Sequence, residues 1–207
     1  MPNRRRFLLM SALSLISLHP IFGDEVRRRR TRWEVMMNDE PPQPAPLHPL
    51  SKEWSNNAFT AAWGGHATVL INCYGKWILT DLVFSERIGL DVLNFFTIGP
   101  RRLILPALTL DELPPLDLIL LSHGHMDHFD IPTLRKLDGR TPVDIAKNTY
   151  DLIEDLGFER VYELDWRQHA VIDDIRVEAL EVQHFGWRYP WERDRSRGNP
   201  DGRSYNG

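Results

Sequence analysis

The sequence predicts a layered α/β domain built on a mixed sheet. Three observations predict it. Short runs rich in strand formers alternate with capped, helix-like stretches between residues 58 and 184. Residues 116–122, LDLILLS, are almost continuously apolar, as a strand covered on both faces requires. Turn pairs at Tyr74-Gly75 and Asp173-Asp174 each fold two neighbouring runs into a hairpin. At 207 residues the chain has the length of one domain with a short appendage.

The elements follow in order. AFTAAW (58–63), TVLINC (68–73) and KWILTD (76–81) read as strands, the last two closed by Tyr74-Gly75. After the buried strand at 116–122, residues 130–139 read as a helix with Asp130 as N-cap, Pro132 in its first turn and Gly139 as its stop. PVDIA (142–146) is a strand. Residues 148–157 are expected to be a helix capped by Asn148, and RVYELD (160–165) a further strand. Residues 170–184 form a hairpin, and His184 ends its second strand. No internal repeat is present.

The loop SHGHMDHFD carries the chemistry. It places three of the chain's eight histidines and one aspartate between positions 123 and 128. It follows the carboxyl end of a buried strand, where open α/β sheets build their sites. In an extended segment His123 and His125 project to the same side and can grip one ion together. Asp127 and His128 fall in the next turn and are placed to serve a second ion. Two adjacent cations lower the pKa of a shared water, so hydroxide becomes available near neutral pH. The single cysteine, Cys73, excludes an internal disulfide and a thiolate cluster. Any metal is therefore held by imidazole and carboxylate, which suits zinc, with manganese or iron as alternatives.

HGHMDH fits the H-x-H-x-D-H motif of the metallo-β-lactamase superfamily, and the resemblance extends over about residues 54–207. WGGHATVLINCYGKWILTDLVFSER resembles the opening hairpin of the branch that contains N-acylphosphatidylethanolamine phospholipase D and the ascorbate-phosphate lactonases. GPRRLILPALTLDELPPLDLILLSHGHMDH is closer to the phospholipase D-type members. VQHFGWR resembles that branch's next metal-histidine strand. The resemblance implies an αββα sandwich, of which this chain carries mainly the first half. It implies that His123, His125 and His184 hold one metal, and that Asp127 and His128 hold part of a second. Asp127 is also expected to act catalytically by orienting a metal-bound hydroxide. Asp81 is expected to orient the ligands, and His66 to make a structural hydrogen bond. Members of the branch carry a bridging aspartate and a last histidine in a second half. Here the only aspartates after His184 are Asp194 and Asp201, in a loop with the wrong setting, so the second metal is expected to bind weakly or not at all.

Two function classes follow. One is a metal-dependent hydrolase, a phosphodiesterase of the phospholipase D kind, with a lactonase as the alternative within the class. The other is a non-catalytic metal-binding fragment. The substrate is a small molecule or a lipid. An apolar stretch at 88–99 and the aromatic residues Trp187, Tyr189 and Trp191 are expected either to pack in the core or to form a rim for acyl chains or a membrane surface.

Charge separates the arm from the body. The first 32 residues hold eight Arg against Asp24 and Glu25, a net +6, which leaves −10 for the rest of a chain whose total is −4. An acidic body does not suit nucleic acid. RRRFL at Arg4–Leu8, with the apolar run to Leu18, resembles a twin-arginine export signal within residues 1–23. It implies a periplasmic or exported protein, or one anchored by an uncleaved N-terminus. Residues 24–53, basic and then proline-rich, read as a linker to a domain at 54–207.

Overall fold

The computed structural model describes residues 40–92, 95–182, 184 and 188. Its centre is a six-stranded sheet in the order β1-β2-β3-β6-β7-β8. The strands β1 (Phe59–Gly65), β2 (Thr68–Cys73) and β3 (Lys76–Thr80) run antiparallel. From β3 onward β6 (Leu118–Leu121), β7 (Val143–Ala146) and β8 (Val161–Leu164) run parallel. Two hairpins stand apart from this sheet, β4–β5 (Leu90–Val92 and Phe96–Ile98) and β9–β10 (His169–Ile172 and Ile175–Glu178).

Alternation along each strand builds two cores, one on each face. Leu70, Leu79, Ile119, Leu121, Val143 and Ile145 point to one face, where Leu82, Phe129, Leu134 and Ile153 complete a buried cluster. Ile71, Ile78, Leu118 and Leu164 point to the other, where the β9–β10 hairpin brings Ile172 and Val177. Leu118 and Ile119 are both fully buried, one on each face, as the apolar run of β6 requires.

On the second face Thr80, Leu120, Asp144 and Tyr162 lie in one row across the sheet. Thr80 Oγ1 and Asp144 Oδ1 are buried there without a hydrogen-bond partner among the described residues. Burial pushes the Asp144 carboxyl up to about 7.

Helices are fewer than the sequence predicts. The helix expected over 130–139 is a single turn, α1 (Ile131–Leu134), continued by 3-10-type bonds from Lys136 N–H to Thr133 and Leu137 N–H to Leu134. Asp130 stands at its N-cap, but its carboxylate serves the Thr133 hydroxyl and the Ser85 amide instead of the first-turn amides. The helix expected over 148–157 is absent. Two 3-10 turns, Tyr150–Leu152 and Glu154–Leu156, take its place. Asn148 lies in the left-handed region, and Glu163 Oε1 accepts the amides of Thr149 and Tyr150. A carboxylate on the adjacent strand thus holds the first amides of the segment. Strand β10 ends at Glu178, so His184 lies beyond the strand it was expected to terminate.

The 88–99 stretch does not pack into the core where it is described: Phe95 is 87% and Phe96 58% exposed. Within the proline-rich segment, Gln43 pairs with the backbone of Leu103 and Leu105.

Candidate metal centre

The site forms where the parallel strands β3 and β6 end side by side. The ladder between them runs one residue past β3, with Asp81 N–H donating to Leu120 C=O at 2.8 Å. The next residue of β6's chain, Ser122, then meets the Asp81 side chain. Its amide donates to Oδ1 at 2.7 Å and its hydroxyl to Oδ2 at 2.9 Å. Asp81 holds this posture with φ 43, in the left-handed region. Its own carbonyl accepts from Thr68 Oγ1 at 3.1 Å. Fixed bonds on every side hold a backbone conformation that costs energy in isolation.

From Ser122 the chain bends through the histidine loop. His128 and Phe129 both donate their amides to the His125 carbonyl, at 3.1 and 2.7 Å, which closes the loop into a tight turn. Phe129 is fully buried in the first core and anchors the loop's far end.

Three imidazoles converge. His123 Nε2 and His184 Nε2 each lie 2.9 Å from His125 Nδ1. The ligand nitrogens of His123, His125 and His184 all fall within 4.8 Å of one another. The rings meet edge to face, with centroids 4.5–4.6 Å apart. One ring nitrogen of His125 cannot satisfy two approaching imidazole nitrogens by sharing a single proton. A cation between the three lone pairs resolves the conflict, so the donor set fits a metal ion. The other nitrogen of His123, Nδ1, is engaged by Ser122 Oγ at 2.9 Å, which leaves Nε2 for the centre. Burial lowers the His123 pKa to about 2, helped by the charges of His128, His125 and His184, so the ring is neutral and ready to bind metal at neutral pH.

Asp127 and His128 stand on the other side. The His128 ring is 4.1 Å from the His123 ring, closer than the loop spacing predicts. Its Nδ1 is bound to Asp81 Oδ2 at 3.0 Å, and its Nε2 faces Asp127 Oδ2 at 3.8 Å. Burial pulls the His128 pKa down, but the Asp81 bond and the charges of Asp81 and Asp127 outweigh it, and the net shift is upward. The Asp127 side chain is half exposed. The structure therefore gathers His123, His125 and His184 in one group and leaves Asp127 and His128 as an adjoining pair. Asp194 and Asp201, like Trp187, Tyr189 and Trp191, lie outside the described residues.

Asp81 has the orienting geometry that the sequence reading assigns to it, since one carboxylate grips both Ser122 and His128. The His66 backbone carbonyl accepts Trp63 Nε1 at 2.6 Å, a bond that does not involve the imidazole for which the structural role was expected. Two contributors escape sequence reasoning. Ser122 relays Asp81 to His123. Arg188, buried, donates through Nη1 to the carbonyls of Gly124 (2.6 Å) and Phe129 (2.9 Å). It thus ties the chain just beyond His184 to both ends of the histidine loop. Only its place in VQHFGWR hinted at this.

The chain is similar in sequence to several known proteins. An uncharacterized protein of Mycobacterium tuberculosis is 31% identical over 199 residues, covering 91% of this chain and 51% of that protein. N-acyl-phosphatidylethanolamine-hydrolyzing phospholipase D 1 of Caenorhabditis elegans is 28% identical over 157 residues, 69% of this chain and 43% of that one. The chain thus spans about half the length of the curated relatives it matches. Among solved structures, a possible metal-dependent hydrolase from Veillonella parvula aligns at TM-score 0.45 and 21% identity, over 57% of this chain and 47% of that one. The family model described as "Beta-lactamase superfamily domain" matches residues 76–202. That match takes in β3, β6, the histidine loop and His184, more than half of the sequence, and the chain belongs to the beta-lactamase superfamily domain family.

Proposed function

We propose that this chain supplies the metal-binding part of a zinc-dependent phosphodiesterase of the phospholipase D kind. The observation that carries the proposal is the convergence of His123, His125 and His184 beside the Asp127–His128 pair. Neutral imidazoles with one carboxylate suit zinc. The relatives in Caenorhabditis elegans and yeast that are described as phospholipases D support the phosphodiester class.

His123, His125 and His184 hold the first ion, and Asp127 with His128 contributes to a second. Bound metal supplies Lewis acidity and lowers the pKa of water. Asp81, through Ser122 and His128, fixes the ring orientations before substrate arrives. Asp127, half exposed, would also orient the attacking hydroxide. The twin-arginine-like Arg4–Arg5 pair supports export of the protein already folded around its metal. The exposed Phe95 and Phe96 suit a lipid substrate or a membrane surface.

The test is hydrolysis by the full chain, zinc-loaded, across a panel of phosphodiesters and lactones. Metal-dependent phosphodiester turnover that stops on chelation is the expected result. Lactone turnover alone would replace the phosphodiesterase with a lactonase. Turnover that survives His123→Ala together with His125→Ala would overturn the metal mechanism.

A further inference from the structure

Arg102 is a buried cation in direct contact with no acid; the carboxylate whose charge reaches it, at longer range, is that of buried Asp130. Only 5% of it is exposed, and no carboxylate lies within ion-pair distance of its guanidinium among the described residues. Its Nε donates to the Ile104 carbonyl at 2.7 Å, and its Nη1 to the carbonyls of Val83 (3.0 Å) and Ser85 (3.5 Å). Carbonyl dipoles satisfy these nitrogens but do not neutralise the charge, and a buried charge is costly unless it is paired. The third nitrogen, Nη2, has no acceptor among the described residues.

Nη2 lies close to Gly65. A Cβ built there would lie 3.0 Å from Nη2, and Gly65 has φ +103, so glycine keeps the guanidinium's edge uncovered. Gly65 opens the β1–β2 turn, whose next residue, His66, is exposed. That turn abuts the metal centre. Thr68, at its end, donates to the Asp81 carbonyl and accepts the Val83 amide, and Asp81 in turn binds His128. His66 feels the charges of Arg102, Asp127 and His128 together.

We propose that Arg102 Nη2, framed by Gly65 and His66, is an anion subsite that holds a non-bridging phosphoryl oxygen of the substrate beside the Asp127–His128 pair. The chemistry is that of guanidinium with a phosphate monoanion, which supplies the direct ion pair that Asp130, acting at longer range, does not make. The subsite rests on the phosphodiesterase reading for its natural occupant, but binding of the anion itself can be measured without turnover.

The probe is inorganic phosphate, titrated calorimetrically into the zinc-loaded full chain. Two variants interrogate the subsite. Arg102→Lys keeps a cation for the Val83 and Ile104 carbonyls but withdraws Nη2. His66→Asp is an exposed change at a turn position with φ 54, a conformation Asp tolerates, and it sets a carboxylate near Arg102. Each variant should weaken phosphate about tenfold or more, with zinc content and melting temperature held near wild type. Should Arg102→Lys fail to fold, His66→Asp carries the test alone. Phosphate affinity unchanged in the folded variants, or no phosphate binding by the wild type, would overturn the subsite. If phosphate binds through Arg102 but no phosphodiester is hydrolysed, the subsite stands and the phosphodiesterase reading falls. If phosphodiesters are hydrolysed with the same KM after Arg102→Lys, the reading stands and the subsite falls.

Discussion

The two sides of the histidine cluster differ in what they ask of a metal. On one side, His123, His125 and His184 bring three imidazole nitrogens within 4.8 Å of one another. Burial and the neighbouring rings keep His123 neutral to about 2. On the other side, His128 is bound to Asp81 and shifted upward, and its neighbour Asp127 is half exposed. The first side is partly enclosed and supplied with three ligands. The second is anionic, open and supplied with two among the described residues. Four-coordinate zinc needs only a water in addition to the first set. The comparison teaches that one loop can hold both a metal-ready group and an incomplete one, because Asp81 commits His128 through a bond the other rings do not make.

Removing the first side should have the largest effect. His123→Ala with His125→Ala is expected to lower zinc affinity roughly a thousandfold or more, since metal binding free energy is shared among few ligands. Elemental analysis after dialysis would read near zero zinc per chain. Retained stoichiometric zinc would place the tight site elsewhere and break the comparison.

Asp81→Asn strikes the link between the sides. It weakens the charge-assisted bonds to Ser122 and His128 while keeping the shape. Zinc affinity should fall about 10–100-fold, as for other partners that orient ligands. A chelator competition titration measures it, and an unchanged affinity would show that the rings are held by packing alone.

Arg188→Met sharpens the account of the first side. It removes the donors that hold the Gly124 and Phe129 carbonyls, and so loosens His184 relative to the loop. About a tenfold loss of zinc affinity is expected by the same titration, with Arg188→Lys intermediate. A fall in melting temperature with zinc affinity preserved would reduce Arg188 to a packing role.

The smallest effect is one of protonation, read on metal-free protein by NMR titration of the imidazoles. His128 should titrate above the ordinary 6.5, whereas His123 should remain neutral far below it. The two contribute oppositely to stability. The raised His128 stabilises the fold fully below pH 6.5, and its contribution is lost as pH rises through the folded value. The depressed His123 takes up no proton in the folded state until about 2, while the unfolded chain does so near 6.5. Its effect is therefore a loss of stability as pH falls below 6.5. In Asp81→Asn the His128 value should drop, because burial would then face a weaker opposing field. If His128 titrated below His123, the electrostatic division would be reversed.

By itself the sequence determined what short-range rules decide. The alternation in TVLINC and KWILTD placed two strands, and the double-sided apolar run placed β6 at the centre of the sheet. The spacing of His123 and His125 placed their rings together, even though the loop is a tight turn and not an extended strand. Only the tertiary structure decided the rest. The helix expected at 148–157 is replaced by two 3-10 turns whose first amides are held by Glu163, a side chain on a strand that the local pattern cannot place beside them. His184 meets His125 across 59 residues, and Asp81 meets His128 across 47. Arg102 and Arg188 look like any surface arginines in the sequence, yet both are buried among backbone carbonyls of distant segments. The physical reason is the range of the forces. Periodicity and turn chemistry act over a few residues and are written locally. A carbonyl that needs a donor, or a buried guanidinium that needs acceptors, finds its partner only after the sheet has brought remote strand ends side by side.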